Sequence, residues 1–352
     1  MWFFTEEEKQ IKELCADFAR RELAPVAEKH DTDETFNIEA FKKMGELGVL
    51  GITADPKYGG AGMGAVAATI VMEEFGKACA SSTLSYLAHS ILCVNNIQNN
   101  ASEEQKEKYL PKLISGEHIG CMGMSEPEYG SDAVGIQTKA EKKDDHYLLN
   151  GTKMWITNAE YADVAYVYTR TGKERKNLST FIVDKGAEGF SIGKPIHKMG
   201  MRASPTGELV FDNCKVPHSA LVGNEGDSIY HMMKNLELER ITIAGISLGI
   251  AQACVDQCIK YANERSQFGK TIGCLKYESA QNTLNIIQIQ ISPEFQNKGH
   301  GYRLLKHIID NSASKTISLT VLKVNPAYHL YTRLGFTTVG KDEHEYHMQL
   351  NR

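Results

Sequence analysis

Residues 122–132 read Met-Gly-Met-Ser-Glu-Pro-Glu-Tyr-Gly-Ser-Asp, and residues 148–158 read Leu-Leu-Asn-Gly-Thr-Lys-Met-Trp-Ile-Thr-Asn. In the first segment, Pro127 and Gly130 predict a turn that presents backbone N–H groups and small hydroxyls, which suits a flat polar ligand. In the second segment, Asn150-Gly151 lies between two β-prone runs. This pair predicts a hairpin turn and places Trp155 on the strand that follows it.

Taken together, the two segments resemble the flavin-binding β-domain of the acyl-CoA dehydrogenases. Within that family the chain most resembles the isovaleryl-CoA dehydrogenases and similar short branched-chain members. The resemblance implies two sets of contacts on opposite sides of the isoalloxazine ring of FAD. The loop contacts are Met122, Met124, Ser125, Gly130 and Ser131, and the strand contacts are Trp155, Ile156 and Thr157. An ordinary antiparallel core with a buried indole would explain either segment alone.

Composition restricts the protein class. The chain has 352 residues, of which 42% are hydrophobic and 24% charged, as expected of a globular protein with two or three cores. Its net charge of −5 gives no general attraction to nucleic acid. The eight cysteines show neither a C-x-x-C pair nor zinc spacing, so we expect no metal site and a reducing, cytoplasmic location. The uncharged run 241–255 is too short to cross a bilayer, and we expect neither a membrane span nor a targeting segment.

The period of the hydrophobic pattern divides the chain and predicts a multidomain α and β protein. Residues 1–117 have helical spacing, with capping boxes starting at Thr5 and Ser102. Strand-like alternation follows over 118–222, and helical spacing returns over 223–270. The resemblance identifies these parts as an N-terminal helical domain, a middle antiparallel flavin-binding β-domain, and one long helix of a truncated C-terminal helical domain.

The predicted chemistry depends on a carboxylate in the sequence Leu236-Glu-Leu-Glu-Arg240. Removing a proton from the α-carbon of an acyl-CoA needs a carboxylate in a dry site with a raised pKa. By composition Glu237 and Glu239 match equally well, and either could be a solvated helix residue. The resemblance implies that Glu239, directly before Arg240, is the base. It also implies substrate or CoA contacts from Glu237, Arg240, Tyr230 and Ser131.

The end of this helical segment carries Arg265-Ser-Gln267-Phe268-Gly. In the family, the Arg-x-x-Phe-Gly element reaches the adenosine half of FAD on a partner subunit. By position, the resemblance assigns that role to Arg265, Gln267 and Phe268 and implies a homo-oligomer. A helix end finished by Phe-Gly, with basic residues that complement the helix dipole, would explain the same residues.

Residues 271–352 follow a different pattern. Strands are predicted at 272–277, 284–291 and 316–321, and a glycine-containing loop after the second strand begins a helix that runs to residue 309. The combination resembles the second half of the GNAT acetyltransferases. It implies that Gln296, Gly299 and Gly301 hold the pyrophosphate of acetyl-CoA and that Tyr331 protonates the departing thiolate. A packed aromatic would explain Tyr331 equally well.

Three functions follow from these patterns. The favoured one is α,β-dehydrogenation of a short or branched acyl-CoA, with hydride transfer to FAD and an electron-transfer flavoprotein as the redox partner. The second is CoA-dependent N-acetyl transfer, and the third is a non-catalytic fusion of two partial domains that meet near residues 268–272. The late family segment that helps to polarise the thioester carbonyl has no counterpart in these residues. Losing one such donor typically costs about 100- to 1000-fold in rate.

Overall fold

The computed structural model describes residues 4–351 apart from 265, 268–269, 272–273, 281 and 292. It divides into two compact units, Met1–Ala253 and Cys254–Arg352. The boundary falls within one long helix. We describe each unit by itself.

The first unit begins with a helical layer. Its helices are α1 (Glu6–Phe18), α2 (Ala27–Asp33), α3 (Ile38–Glu46), α4 (Ala65–Ala78), α5 (Ala80–Tyr86), α6 (Asn95–Asn100) and α7 (Glu103–Ile114). Both predicted capping boxes are present: the Thr5 hydroxyl accepts from Glu8 N at 3.2 Å, and the Ser102 hydroxyl accepts from Gln105 N at 3.2 Å. These side chains satisfy backbone N–H groups that would otherwise lack partners at the helix starts.

A sheet follows the helical layer. Its strands are β1 (Gly120–Gly123), β2 (Lys139–Lys142), β3 (His146–Thr157), β4 (Val164–Arg170), β5 (Leu178–Asp184), β6 (Phe190–Ile192), β7 (Thr206–Pro217) and β8 (Leu221–Val222). The order is β6-β7-β3-β2-β4-β5-β8, and β1 also pairs with β4. Most pairs are antiparallel as predicted, but β1 and β2 each run parallel to β4.

The predicted hairpin turn at Asn150-Gly151 is wrong. Strand β3 continues through both residues, and a register shift between Leu149 and Gly151 marks a bulge against β7. Gly151 has φ +144°, and a Cβ there would lie 2.6 Å from the Thr138 hydroxyl. The glycine therefore serves a bulge and a close approach of the neighbouring segment.

The predicted long helix is observed as α8 (Ser228–Glu264). It packs on α4 through glycines, because a Cβ at Gly245 would lie 2.7 Å from the Thr69 carbonyl oxygen and one at Gly249 would lie 2.3 Å from the Glu73 carbonyl oxygen. Judged by length and composition alone, Ser228–Ala262 is the one stretch of the described residues that could cross a membrane. Mostly buried core helices of soluble proteins meet the same criterion, whereas only 22% of the most apolar window of this stretch is buried within the described residues. Since α8 packs closely on α4, we interpret it as a bundle helix.

The second unit contains the end of α8 and a five-stranded sheet. Strands β9 (Ser266–Gln267) and β10 (Lys270–Thr271) form a separate antiparallel pair. The strands of the five-stranded sheet are β11 (Cys274–Ala280), β12 (Thr283–Gln290), β13 (Thr316–Leu322), β14 (Thr337–Lys341) and β15 (Glu345–Asn351). The helices are α9 (His300–Asn311) and α10 (Ala327–Arg333). The five-stranded sheet has the order β11-β12-β13-β15-β14, with β12 parallel to β13 across α9. This is the partial α/β unit that the sequence predicts.

Candidate active site

The predicted flavin-facing loop lies between β1 and β2. Glu126 and Tyr129 exchange backbone hydrogen bonds of 2.9 and 3.1 Å across the turn that contains Pro127. Met122, Met124 and Ser125 are half-buried, whereas Gly130 and Ser131 are exposed. A Cβ added at Gly130 would meet no atom within 4 Å, so this part of the loop faces open space.

A buried ion pair fixes the loop to β3. Lys153 is fully buried, and its ammonium nitrogen lies 2.8 Å from Glu126 Oε1 and 3.1 Å from the Met124 carbonyl oxygen. Met154 N also donates to the Ser125 carbonyl oxygen at 2.9 Å. The sequence reasoning missed Lys153 and Glu126. The available signal was a lysine in the middle of a strand with few other charges.

Trp155 sits on a second bulge of β3, where the register against β7 shifts between Lys153 and Ile156. Its φ of +61° is unusual for a residue with a side chain, and its ring is 51% exposed. The alternative of a buried indole is therefore wrong. Thr157 is half-buried, but the Ile156 side chain packs in the core of the sheet. Of the predicted strand contacts, Ile156 can offer only backbone atoms to a ligand.

Burial separates the two candidate bases on α8. Glu239 is half-buried, whereas Glu237 is exposed. Burial raises the pKa of Glu239 above its usual value, and the neighbouring Arg240 opposes that rise. A carboxylate with a raised pKa is better suited to accept a carbon-bound proton near neutrality. Arg240 and Tyr230 point into solvent, with Tyr230 79% exposed.

Two neighbouring amide side chains of α6 contact the base helix and Met122, one of the predicted loop-side contacts. The Asn95 amide donates to Asn235 Oδ1 at 2.8 Å, and Asn235 lies one helical turn before Glu239. The next residue of α6, Asn96, contacts the sulfur of Met122 on β1 at 3.7 Å. The structure thus links the helix of the predicted base to one of the predicted flavin-facing segments.

The predicted adenosine contacts cannot be placed. Arg265 and Phe268 lie outside the described residues, and only the backbone of Gln267, in β9, is described.

In the second unit, a cavity of about 590 Å³ brings together Gln296, Gly299, Gly301 and Tyr331. Gly299 has φ +77° and caps α9, and the Gln296 amide donates to the Ile291 carbonyl oxygen at 2.9 Å. Tyr331 is buried, which raises the pKa of its phenol, and it also packs against Phe336. It therefore lines the cavity and belongs to the core at the same time.

Comparison with known families divides the chain in the same order. Residues 5–117 match the acyl-CoA dehydrogenase N-terminal domain, 121–214 the middle domain and 226–287 the C-terminal domain. Residues 265–336 match the acetyltransferase (GNAT) family. The last two matches overlap over 265–287, which includes the region where the sequence placed the junction.

Similar proteins match about three quarters of the chain. Mitochondrial isovaleryl-CoA dehydrogenase of Pongo abelii is 48% identical over 76% of this chain and 65% of that protein. The enzyme of the same name from Arabidopsis thaliana is 46% identical over 77% of this chain and 67% of its own length. This chain thus spans about two thirds of the length of these relatives.

Solved structures give the same result. Butyryl-CoA dehydrogenase from Megasphaera elsdenii superposes with a TM-score of 0.74 at 36% identity, covering 77% of this chain and 73% of that one. A glutaryl-CoA dehydrogenase from Mycobacterium smegmatis in complex with FADH2 gives 0.72 at 34% identity, covering 76% and 68%.

Proposed function

The chain belongs to the acyl-CoA dehydrogenase family, and on that premise we propose that it catalyses α,β-dehydrogenation of a short or branched acyl-CoA. The burial of Glu239 beside an exposed Glu237 carries the proposal. It selects, from two glutamates that composition cannot separate, the one that the family resemblance also names and whose environment suits a base.

The residues around the loop and strand fit a flavin. An exposed aromatic ring at Trp155, open space at Gly130 and partly accessible hydroxyls at Ser125 and Thr157 are suitable partners for a flat ring with polar edges. Met122, Met124 and Ser131 would complete the loop side. FAD, when bound, supplies the acceptor for the β-hydrogen as hydride.

The chain's own residues would manage the proton. The Glu239 carboxylate removes the α-proton, and its raised pKa lets it hold that proton once the reaction has occurred. Arg240 places a positive charge beside the carboxylate. Tyr230 and Glu237, exposed on the same helix, are available to contact the CoA portion, together with Ser131.

The wider setting is part of the same proposal. Electron-transfer flavoprotein would reoxidise the flavin, and a homo-oligomer would bring Arg265, Gln267 and Phe268 to a partner's FAD. A reducing, cytoplasmic location agrees with the free thiols of seven cysteines among the described residues.

The test is the visible spectrum of the purified protein after incubation with FAD and desalting. We expect a bound flavin spectrum that bleaches on addition of isovaleryl-CoA. Glu239→Gln should keep the flavin and abolish the bleaching. Glu237→Gln should keep the flavin and still bleach at saturating isovaleryl-CoA, with any loss confined to substrate affinity. Loss of flavin from folded protein, or bleaching that survives Glu239→Gln, would contradict the proposal.

A second candidate, N-acetyl transfer, is favoured by the cavity of about 590 Å³ around Gln296, Gly299, Gly301 and Tyr331. A Cβ at Gly301 would lie 3.3 Å from the Leu330 side chain, so Gly301→Val should narrow this cavity. Acetyl-CoA binding that is lost in Gly301→Val and kept in Glu239→Gln would support the second candidate. Acetyl-CoA binding that is kept in Gly301→Val and lost in Glu239→Gln would assign acetyl-CoA to the dehydrogenase part.

A further inference from the structure

The pair of Lys153 and Glu126 lies behind both of the segments that face the proposed flavin. Besides the lysine, Glu126 accepts backbone N–H bonds from Gln137 at 2.6 Å and from Thr138 at 2.8 Å. Lys153 bonds in turn to the Met124 carbonyl oxygen in the loop. One buried carboxylate and one buried ammonium therefore hold three stretches of backbone: the loop, the two residues directly before β2, and strand β3.

Stability alone does not account for such a pair. Removing two charges from water costs several kcal/mol per ion, and well-packed apolar residues of similar volume often stabilise a protein as much or more. Burial lowers the pKa of Lys153 to about 8, while Glu126 opposes this shift, so the side chain stays charged at neutral pH. What the pair adds over an apolar contact is direction, because each hydrogen bond fixes a distance and an angle.

The backbone beside the pair is strained. Trp155, two residues after Lys153, has φ +61°, and a non-glycine residue in that region costs about 1–3 kcal/mol unless its surroundings enforce it. Enforcement comes from both sides. Lys153 and the Met154 amide hold the residues before the bulge to the loop, and Asn158 after it donates to the carbonyl oxygens of Ser85 and Gly120 at 2.9 and 3.3 Å.

We propose that Lys153 is a positioning residue, whose bonds to Glu126 and Met124 set the spacing between the flavin-facing loop and the exposed Trp155. The inference rests on the proposed flavin function and adds to it the residue that prepares the site. Lys153 acts through the loop and the bulge, not by contact with the flavin.

The test compares three variants. Lys153→Met removes the charge at similar length but leaves Glu126 buried without its partner. Lys153→Met with Glu126→Gln removes both charges and keeps an acceptor for the backbone N–H groups. Lys215→Met alters an exposed lysine on β7, the neighbour of β3, and serves as the matched control. A Trp2→Phe background leaves Trp155 as the sole tryptophan, because the chain has two.

Quenching of Trp155 fluorescence gives the FAD dissociation constant. Removing a partner that orients a binding group from behind costs about 10- to 100-fold in affinity or activity at metal sites, so we expect the constant to rise at least about tenfold in both variants that lack Lys153. The double variant should recover the thermal stability lost in the single one without recovering FAD affinity. Recovery of both would overturn the proposal, since the pair would then be structural only. Lys215→Met should match the parent in both measurements.

Hydrogen exchange without FAD separates this proposal from the proposed function. If Lys153 sets the spacing, peptides covering 122–131 and 151–158 should exchange faster in both Lys153 variants, while a peptide from β5 stays protected as in the parent. If the parent holds no FAD and the Lys153 variants still exchange faster at these peptides, the flavin function is refuted and the spacing role is retained. A parent that binds FAD, with unchanged exchange and affinity in the variants, would refute the role of Lys153 alone.

Discussion

Adding a single methyl group at Gly249 should weaken the first unit and move the proposed base. A Cβ at this position would lie 2.3 Å from the Glu73 carbonyl oxygen and 2.9 Å from the carbonyl carbon of Gly76. The first distance is about 1 Å inside ordinary contact. Because both obstructing atoms belong to the backbone of α4, no side-chain rotation can relieve the clash, and α8 must move outward.

Two opposing effects set the magnitude. Overpacking a well-packed contact typically costs about 1–3 kcal/mol, and replacing glycine by alanine inside a helix returns about 1 kcal/mol. Because the clash at Gly249 is with backbone, we expect the upper part of the first range and a net loss of about 1–2 kcal/mol. The closest contacts for a Cβ are 2.7 Å at Gly245 and 3.1 Å at Gly76. Gly245→Ala should therefore cost less, and Gly76→Ala should be near neutral.

The same change should affect the chemistry. Glu239 lies ten residues before Gly249 on one continuous helix, about 15 Å along its axis. An outward shift of α8 of about 1 Å would misplace the carboxylate, and such errors can cost about 100-fold in rate. We expect Gly249→Ala to bind FAD like the parent and to bleach far more slowly with isovaleryl-CoA.

The assay is urea unfolding followed by Trp155 fluorescence in the Trp2→Phe background, with the bleaching rate measured in parallel. Ala251→Gly, at an exposed position of α8, measures the intrinsic helix preference without a packing change. If Gly249→Ala raises the free energy of unfolding by as much as Ala251→Gly lowers it, helix preference alone explains the result and the clash with α4 is refuted. An inverted order among the variants at Gly249, Gly245 and Gly76 would refute it as well.

Three further predictions concern pH and the flavin. His89 is fully buried, and burial lowers its pKa to about 4, so below pH 6.5 the unfolded chain binds a proton that the folded chain does not. The free energy of unfolding should therefore fall by about 3 kcal/mol between pH 6.5 and pH 4. Urea midpoints of His89→Gln should depend less on pH over this range than those of the parent. Because the pKa of Glu239 is raised, bleaching should decline on acidification at a pH above that of an ordinary glutamate, and stopped-flow rates that follow an unshifted carboxylate would contradict this. Trp155→Ala keeps a Cβ at φ +61° and so leaves the backbone strain in place, yet it should weaken FAD retention on desalting. Unchanged retention would exclude contact between the ring and the flavin.

The sequence predicted the features that local chemistry determines. Capping boxes at Thr5 and Ser102 specify helix starts through residues three apart, and the return of helical spacing after residue 223 specified α8. The hairpin prediction failed because Asn150-Gly151 suits a bulge as well as a turn. The crowding by Thr138 that distinguishes them comes from outside the strand.

The site was predicted in part for a similar reason. Glu239 and Glu237 are the same residue type, two positions apart on α8, and only the packing of the folded chain buries one of them. Lys153 went unnoticed because a lysine is expected at the surface. Its partner Glu126 lies 27 residues earlier in the chain. Pairing of that kind is a property of the folded sheet and has no local signal.

The proposed base and the flavin-facing segments are held in place by different kinds of contact. The base is positioned by glycines, where α8 approaches α4 without intervening side chains, and the flavin-facing segments are positioned by a buried ion pair. Gly249 packs against α4, whereas Lys153 bonds to Glu126 and Met124, so the effects of the two changes on stability should add. Their effects on function should instead separate: Gly249→Ala should slow bleaching with FAD retained, and Lys153→Met should release FAD. If both variants lost FAD to the same extent, general loosening of the first unit would explain them better than two independent kinds of contact.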